Sequence, residues 1–370
     1  MSYALAFLQA EDAPIITADE YFRFFESRPY YQVNREVGQA FYLNENTGVH
    51  FDFQIHPDEP PEQDDEAEAA TQLPAIAQEH PAGAGSAAPD APGSSRDPGD
   101  VLVVSVDDQI LAGGEFEEEF EEDDEPEDGL EFAGLTFEIN YCRPHFYALE
   151  AAPELDALVK RFELSVDDPQ ADGMGRGPFD SDQFIQSWNS DNRYGVWAVY
   201  GASVGGRLPP AMPAAVLHEV WLWNRQIPEL SEALDQRAFV PQIVITMATG
   251  EPKTCVVWVD AQPILLPKVD YVLLCRRDLA RRKSLIFRRK TKDMEKLLVP
   301  WERILPVLPP SLWVEGDGAP GYYALGGVDH RPTALRFFRS LPSAYDELKP
   351  LGFSRILDLE VRTEVLGTLE

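Results

Sequence analysis

The chain has 370 residues, of which 44% are hydrophobic, and a formal net charge of -33. This composition predicts a globular protein with enough apolar residues to form a sizeable core, in two domains or in one domain with insertions. So negative a charge disfavours general binding to nucleic-acid backbones, and three widely spaced cysteines without a C-x-x-C pair argue against a disulfide framework or a zinc site.

The N-terminal segment predicts the order strand, helix, strand, strand. Residues 3–9 (YALAFLQ) form a strand-like run, and Thr17 is a candidate N-cap for a helix that Pro29 ends. Residues 38–55 contain two strand-like runs around Gly48, the pattern of a β-hairpin with a glycine placed for positive φ. The segment has no basic n-region of a signal peptide, and no apolar run approaches the roughly 20 residues of a spanning helix. We therefore expect a cytoplasmic protein without a membrane partner.

The composition changes abruptly at Pro57. Residues 57–134 are rich in Pro, Ala, Gly, Ser and acids, which predicts a mostly disordered insertion between the hairpin and the next strand. Between residues 57 and 132 there are 25 Asp and Glu against one basic residue, Arg96, so this stretch carries -24 of the total charge. The strong acidity therefore belongs to the insertion rather than to the folded part.

The acidic block EFEEEFEEDDEPEDG (115–129) lies in this insertion. Two interpretations remain open: a solvated loop that keeps the protein soluble, and a docking segment for a basic partner. Phe116 and Phe120 are four residues apart and would form one apolar stripe if a partner induced a helix. The other candidate partner-binding residues in the block are Glu117, Glu118, Glu121, Glu122, Asp123 and Asp124.

Order is expected to resume after the insertion. The predicted elements are a strand at 135–141, a helix at 154–164 opened by Pro144 or Pro153, and a helix at 181–193 followed by an apolar run at 194–202. Residues 1–56 and 135–205 are thus expected to form one N-terminal α+β domain, with the acidic segment inserted in it.

Residues 206–370 predict a second α+β region. Its predicted elements are a helix at 214–226, strands at 240–249, 254–260 and 269–278, and a helix at 291–308. All seven tryptophans follow residue 187, which indicates an aromatic core in this half. Trp221 and Trp223 are two apart on a helix and point in different directions, so we expect one to reach an interface.

Ser203 lies in the sequence GASVG (201–205), which matches the G-x-S-x-G pattern of a hydrolase nucleophile. Asp260 or Asp270, and then His330, would follow in the required chain order. The pattern needs a strand before the serine and a helix directly after it, whereas Pro209 and Pro210 follow here. A glycine-rich turn accounts for the sequence better.

Cys142 and His145 are three residues apart, a spacing that would let an imidazole activate a thiol on one helical turn. Pro144 between them favours an extended or turning chain instead. The six histidines include no pair at metal-binding helical spacing, and no cofactor motif is present. The sequence therefore predicts neither a metal nor a cofactor.

A basic run spans residues 276–292 and carries nine Lys and Arg against one Asp. Three interpretations compete: a solvated face, a contact with acids in this chain or a second copy, and a site for a phosphate-bearing partner. The candidate contact residues are Arg281, Arg282, Arg288 and Arg289.

The leading hypothesis is a non-enzymatic cytosolic binding protein, most concretely an immunity-type protein that neutralises a basic toxin. This hypothesis is based on two observations. None of the catalytic sequence patterns is specific, and the acidic segment would attract a basic partner. The alternatives are a hydrolase with Ser203 or Cys142 as nucleophile, and a protein that contacts phosphate or nucleic acid through residues 276–292. The sequence does not predict the oligomeric state.

Overall fold

The protein is described by a computed structural model, which covers residues 1–56, 129–170, 172–201, 208–235, 238–248, 250–277, 294–308, 313–314, 322–324 and 331–367. The fold is α+β, as the sequence predicts. In chain order, the elements before residue 202 are β1 (Ser2–Ala10), α1 (Ala18–Glu26), β2 (Tyr31–Asn34), β3 (Gln39–Leu43), β4 (His50–Ile55), β5 (Leu130–Asn140), α2 (Phe146–Phe162), β6 (Ser165–Asp168), β7 (Gly175–Gly177), α3 (Ser181–Val196) and a π-helix (Trp197–Gly201).

The elements after residue 207 are shorter. They are β8 (Ala211–Met212), α4 (Ala214–Arg225), α5 (Ile227–Ala233), β9 (Val244–Ala248), β10 (Glu251–Val259), β11 (Leu265–Pro267), β12 (Tyr271–Arg276), β13 (Glu295–Pro300), α6 (Trp301–Ile304), β14 (Trp313–Val314), β15 (Tyr322–Ala324), α7 (Arg331–Ser340), β16 (Pro350–Leu351), β17 (Leu357–Asp358) and α8 (Leu359–Leu366).

The first half is built on a seven-stranded antiparallel sheet with the order β2-β3-β4-β5-β1-β6-β7. Tyr3 and Phe53 are buried on its inner face and contact Phe184 of α3 and Phe25 of α1, respectively. Aromatic rings thus fill the layer between sheet and helices, because each ring removes a large apolar area from water.

Several N-terminal predictions are confirmed. Thr17 caps α1 in a capping box with Glu20, and Gly48 lies at φ +71° in the β3–β4 hairpin. The structure adds the short edge strand β2, which the sequence does not predict. Strand β5 begins at Leu130, five residues before the predicted 135, and its first residues pair with β1. The flanking strands β4 and β5 are direct neighbours in the sheet, and residues 57–128 between them lie outside the described part of the chain.

Helix α2 begins earlier than the predicted residue 154. It starts at Phe146, directly after Pro144 and His145, and Pro153 lies inside it. Of the two proposed opening prolines, Pro144 is therefore the one at the start. The predicted helix at 181–193 is confirmed, and it continues through the apolar run 194–201 as helix and π-helix.

The second half contains a five-stranded sheet with the order β13-β12-β10-β9-β16, in which only β10 and β12 are parallel. The predicted helix at 291–308 is wrong for residues 295–300, which form β13. Leu297, Leu298 and Val299 pair along β12, and this sheet contact overrides the local helical preference. Smaller sheets join β11, β15 and β14, and β17 with β8.

The expectation that Trp221 or Trp223 reaches an interface is also wrong. Both are buried, because α4 is covered on two sides. The indole N–H of Trp221 donates to Glu150 of α2, and that of Trp223 donates to the carbonyl oxygen of Pro241. One continuous cluster of buried apolar residues contains side chains from before and after residue 205. A domain boundary at this position stays a prediction.

Candidate interaction site

Two aromatic side chains stand in solvent at the C-terminal end of α3. Tyr194 and Trp197 are 62% and 54% exposed, and their ring centroids lie 5.7 Å apart with planes inclined at 34°. Val199, which is 46% exposed, follows in the π-helix. The aromatic patch is defined as these three residues. Exposed apolar side chains that occur together, rather than singly, are typical of interaction sites.

The backbone of the patch is unusual. Helix α3 continues without a break into the five-residue π-helix, a conformation found mostly as single turns and frequently at functional sites. A Cβ at Gly201 would lie 3.0 Å from Cδ1 of Trp197, so the last residue of the π-helix packs directly against the indole. The turn that carries Trp197 therefore also holds its ring in place.

Helix α3 is fixed to the body of the protein just before the patch. The buried Asn192 accepts the backbone N–H of Cys142 at 2.7 Å and that of Arg143 at 3.3 Å, and its amide donates to the Arg143 carbonyl at 2.9 Å. At Gly195 a Cβ would lie 2.8 Å from Cβ of Tyr141, so the helix approaches the end of β5 closely. The patch is therefore presented by a rigid element.

Three aspartates lie near the N-terminal side of the patch. Asp191 precedes Tyr194 by three residues on α3, and Asp172 accepts a hydrogen bond from the Ser190 hydroxyl at 2.8 Å. Burial raises the pKa of Asp191, and the nearby carboxylates of Asp172 and Asp168 raise that pKa further. A hydrogen bond with the Tyr141 side chain lowers the pKa of Asp191 and so acts against this rise. Negative charge is thus concentrated next to the aromatic rings.

Asp168 differs from Asp172 and Asp191 because it is fully buried. This buried carboxylate accepts the Tyr3 hydroxyl and the backbone N–H groups of Gln170 and Met174. It holds together the loop between β6 and β7, which makes its role structural.

His145 lies in a second polar cluster, at the start of α2. Its Nδ1 is 2.9 Å from Oδ1 of Asp358, whose Oδ2 accepts the His145 backbone N–H at 2.7 Å. Its Nε2 is 3.3 Å from Nδ1 of His218, and the two rings stack at 17°. Burial lowers the pKa of His218, and the neighbouring His145 lowers it further. Both ring nitrogens of His145 are thus engaged.

Cys142 is close to His145 in sequence but does not form a nucleophile–base pair with it. The thiol makes no hydrogen bond to His145 within the described residues, and burial raises its pKa. Cys142 has a positive φ of 59°, which directs the chain into the turn before α2. The structure therefore places the two candidate residues without the contact that thiol activation requires.

Asp270 accepts hydrogen bonds from the backbone N–H and the hydroxyl of Thr254, and Asp260 accepts the backbone N–H of Arg277. The other predicted site residues, including His330, lie outside the described part of the chain. The last described residues before Ser203 form a π-helix that ends at Gly201, whereas the hydrolase pattern has a strand before its serine. Nothing is described of Ser203, Phe116, Glu117, Glu118, Phe120, Glu121, Glu122, Asp123, Asp124, Arg281, Arg282, Arg288 or Arg289.

An open groove of about 890 Å³ lies between the start of α4, the β9–β10 turn and α8. Its lining carries charges of both signs. Lys253 lies 3.2 Å from Glu251, and Arg362 donates to the carbonyl oxygen of Pro209 at 3.1 Å. Lys268 lines the groove together with Asp270 and Glu302, so the lining favours neither sign of ligand charge.

Within the described residues, no three His, Cys, Asp or Glu side chains are grouped so that they could hold a metal ion. The same residues include no helix long and apolar enough to cross a membrane.

No protein-family model matches this chain, and no curated protein or solved structure is significantly similar to it. Its function is therefore inferred from the geometry of the chain itself.

The sequence predicts only an apolar run at 194–202 and does not reveal the aromatic patch. A signal was present: continuing the helical period of α3 places Trp188, Asn192 and Gly195 on one face, and all three are buried. Tyr194 and Trp197 fall outside that face. The period alone would have predicted their exposure if the helix had been extended beyond residue 193.

Proposed function

We propose that this chain is a non-enzymatic cytoplasmic binding protein, most concretely an immunity-type protein that neutralises a basic toxin by occupying its surface. The observation that carries the proposal is the aromatic patch on a rigid helix end. Tyr and Trp are enriched at the energetic centres of protein interfaces, since they bury large areas while losing little side-chain entropy.

The charge of the chain supports a basic partner. A net charge of -33 produces a negative field that attracts a cationic protein and accelerates the encounter. The aromatic patch would then supply the short-range contacts that keep the complex together, because burial of apolar area mainly slows dissociation.

The polar clusters that the structure describes favour binding over catalysis. His145 uses both ring nitrogens within the fold, and the pKa of the Cys142 thiol is raised rather than lowered. Nucleophilic catalysis needs the opposite: an accessible base and an activated nucleophile.

The test is co-expression with the product of the adjacent reading frame. We expect a stable complex and rescue of growth from toxicity. Trp197→Ala and Tyr194→Ala should each weaken the complex by about tenfold or more, the loss typical of a central interface residue. Phe239→Ala is the matched control, because Phe239 is also an aromatic residue with 51% exposure but lies on another segment.

Two results would contradict the proposal. One is the lack of both complex and rescue with the wild-type chain. The other is a complex that Trp197→Ala and Phe239→Ala weaken equally, since this would assign no special role to the patch.

A further inference from the structure

The carboxylates next to the aromatic patch have no cationic partner. No Lys or Arg in the described ranges forms an ion pair with Asp172 or Asp191. The nearest cation along α3, Arg193, instead lies 3.4 Å from Glu364 of α8. The negative charge beside Tyr194 is therefore not neutralised by this part of the fold.

The carboxylates and the rings lie on neighbouring turns of one helix. Residues three apart on a helix lie side by side, so Asp191 adjoins Tyr194, and Tyr194 in turn adjoins Trp197. Asp172 reaches the same turn through its 2.8 Å contact with Ser190. A single ligand group can therefore touch an aromatic face and a carboxylate together.

The aromatic rings and the carboxylates of this surface both suit a guanidinium group. Its plane stacks on the faces of Trp and Tyr, and its fork of N–H donors pairs with carboxylates. Lysine is the poorer fit, because its ammonium is compact and strongly hydrated.

We propose that the aromatic patch, together with Asp172 and Asp191, is a docking surface for an arginine side chain of a basic protein partner. The inference rests on the proposed binding function and adds the chemistry that the partner must present. The arginine stacks on Trp197 and Tyr194 while its N–H groups donate to the two carboxylates.

The probe for the experiment is a hexa-arginine peptide, titrated into the full chain at moderate salt. The signal is the NMR resonance of the Trp197 indole N–H, assigned with Trp197→Phe. We expect a saturable shift. The double variant Asp172→Asn/Asp191→Asn should weaken the apparent Kd by about tenfold or more, because it removes both charged acceptors of the guanidinium.

The matched control is Asp182→Asn, which removes one exposed charge from the first turn of the same helix. It should change the apparent Kd less than about twofold, since a distant exposed charge is screened by salt. The acidic block 115–129 is present in every variant, so its attraction for the peptide is common to all titrations. Hexa-lysine should bind this site more weakly than hexa-arginine.

Several results would overturn the proposal. These are an unmoved Trp197 signal, equal Kd values for the double variant and Asp182→Asn, and equal binding of the two peptides. A Trp197 signal that moves on dilution of the free protein would indicate a second copy as the occupant. A signal that moves when Arg281, Arg282, Arg288 and Arg289 are replaced by Ala would indicate the chain's own basic run.

The experiment separates this inference from the proposed function. If capture of the adjacent gene's product needs Trp197 but is unchanged in the double Asn variant, the binding function stands and the arginine site fails. If hexa-arginine behaves as expected but no partner is captured or neutralised, the surface stands and the immunity-type function fails.

Discussion

Glu150 is a carboxylate with 2% exposure in the middle of α2, and the fold supplies it with four donors. The indole N–H of Trp221 donates to Oε2 at 2.7 Å. The donors to Oε1 are Tyr42 at 2.8 Å, Asn44 at 2.7 Å and Thr47 at 3.1 Å. A buried charge is tolerated only when it is satisfied in this way. Glu150 therefore ties the β3–β4 hairpin and α4 to α2.

The first prediction concerns this residue. Glu150→Gln should lower the free energy of unfolding by about 1–3 kcal/mol, because an amide cannot accept from all four donors. The measurement is urea denaturation followed by circular dichroism. The control is Asp156→Asn on the same helix, which breaks only an exposed pair with Lys160 and should cost less than about 0.5 kcal/mol. Equal losses for the two variants would show that the buried network does not stabilise the fold.

At the scale of elements, three segments meet at the His145 cluster. Asp358 at the end of β17 accepts the backbone N–H before α2, where a carboxylate also interacts favourably with the helix dipole. His218 of α4 faces His145 from the other side. Only one proton fits between the two facing ring nitrogens, since two N–H groups would point at each other.

Stability should therefore fall on mild acidification. The pKa of His218 is lower in the fold than its ordinary 6.5, so the unfolded chain binds protons more readily as the pH falls through this value. The neutral His218 ring therefore contributes to the free energy of unfolding above pH 6.5, and this contribution is lost below pH 6.5. The facing charged groups are Asp358, His145 and Glu219, and of these Glu219 opposes the shift.

The measurement is the free energy of unfolding between pH 7.5 and 5. We expect a steeper loss for the wild-type chain than for His218→Gln, which cannot take up this proton. Parallel curves for the two proteins would rule out the histidine pair as the source of the pH dependence. His56→Gln is a control for the general loss of a histidine, because His56 lies apart from the cluster and contacts Thr136.

An element can be predicted from the sequence when the residues that determine it are close together in the chain. Helix α1 has its cap, its apolar face and its terminating residues within one short segment, and the sequence predicts it well. Strand β13 depends on pairing with β12, and the same leucines would suit a helix equally. In the His145 cluster, sequence spacing points to Cys142 and His145 but not to Asp358, since the contact of Asp358 with His145 crosses the fold. A single sequence does not show that two residues so far apart in the chain lie in contact.

For the molecule as a whole, contacts across the two halves are polar as well as apolar. The side-chain amide of Gln242 donates to the carbonyl oxygens of Glu45 and Asn46 at 2.9 and 2.7 Å. Phe353 covers Gly48, where an added Cβ would lie 3.1 Å from its ring. The N-terminal hairpin is thus held by residues from the C-terminal half.

We therefore expect the described parts of both halves to unfold together. Hydrogen exchange of the backbone amides of β1 and of β10, which lie on opposite sides of residue 205, should give the same urea midpoint. A boundary at residue 205 between independent domains would instead produce two separate midpoints, and that result would contradict the continuous core.

The Asp358 contact also has a consequence during synthesis. His145 and Asp358 are 213 residues apart, and at typical rates of translation the second follows the first by roughly 10–40 s. Throughout this interval the backbone N–H at the start of α2 lacks the Asp358 carboxylate, and Gly48 is not yet covered by Phe353. During this interval the hairpin at Gly48 stays exposed to solvent at the place where Phe353 packs in the complete fold.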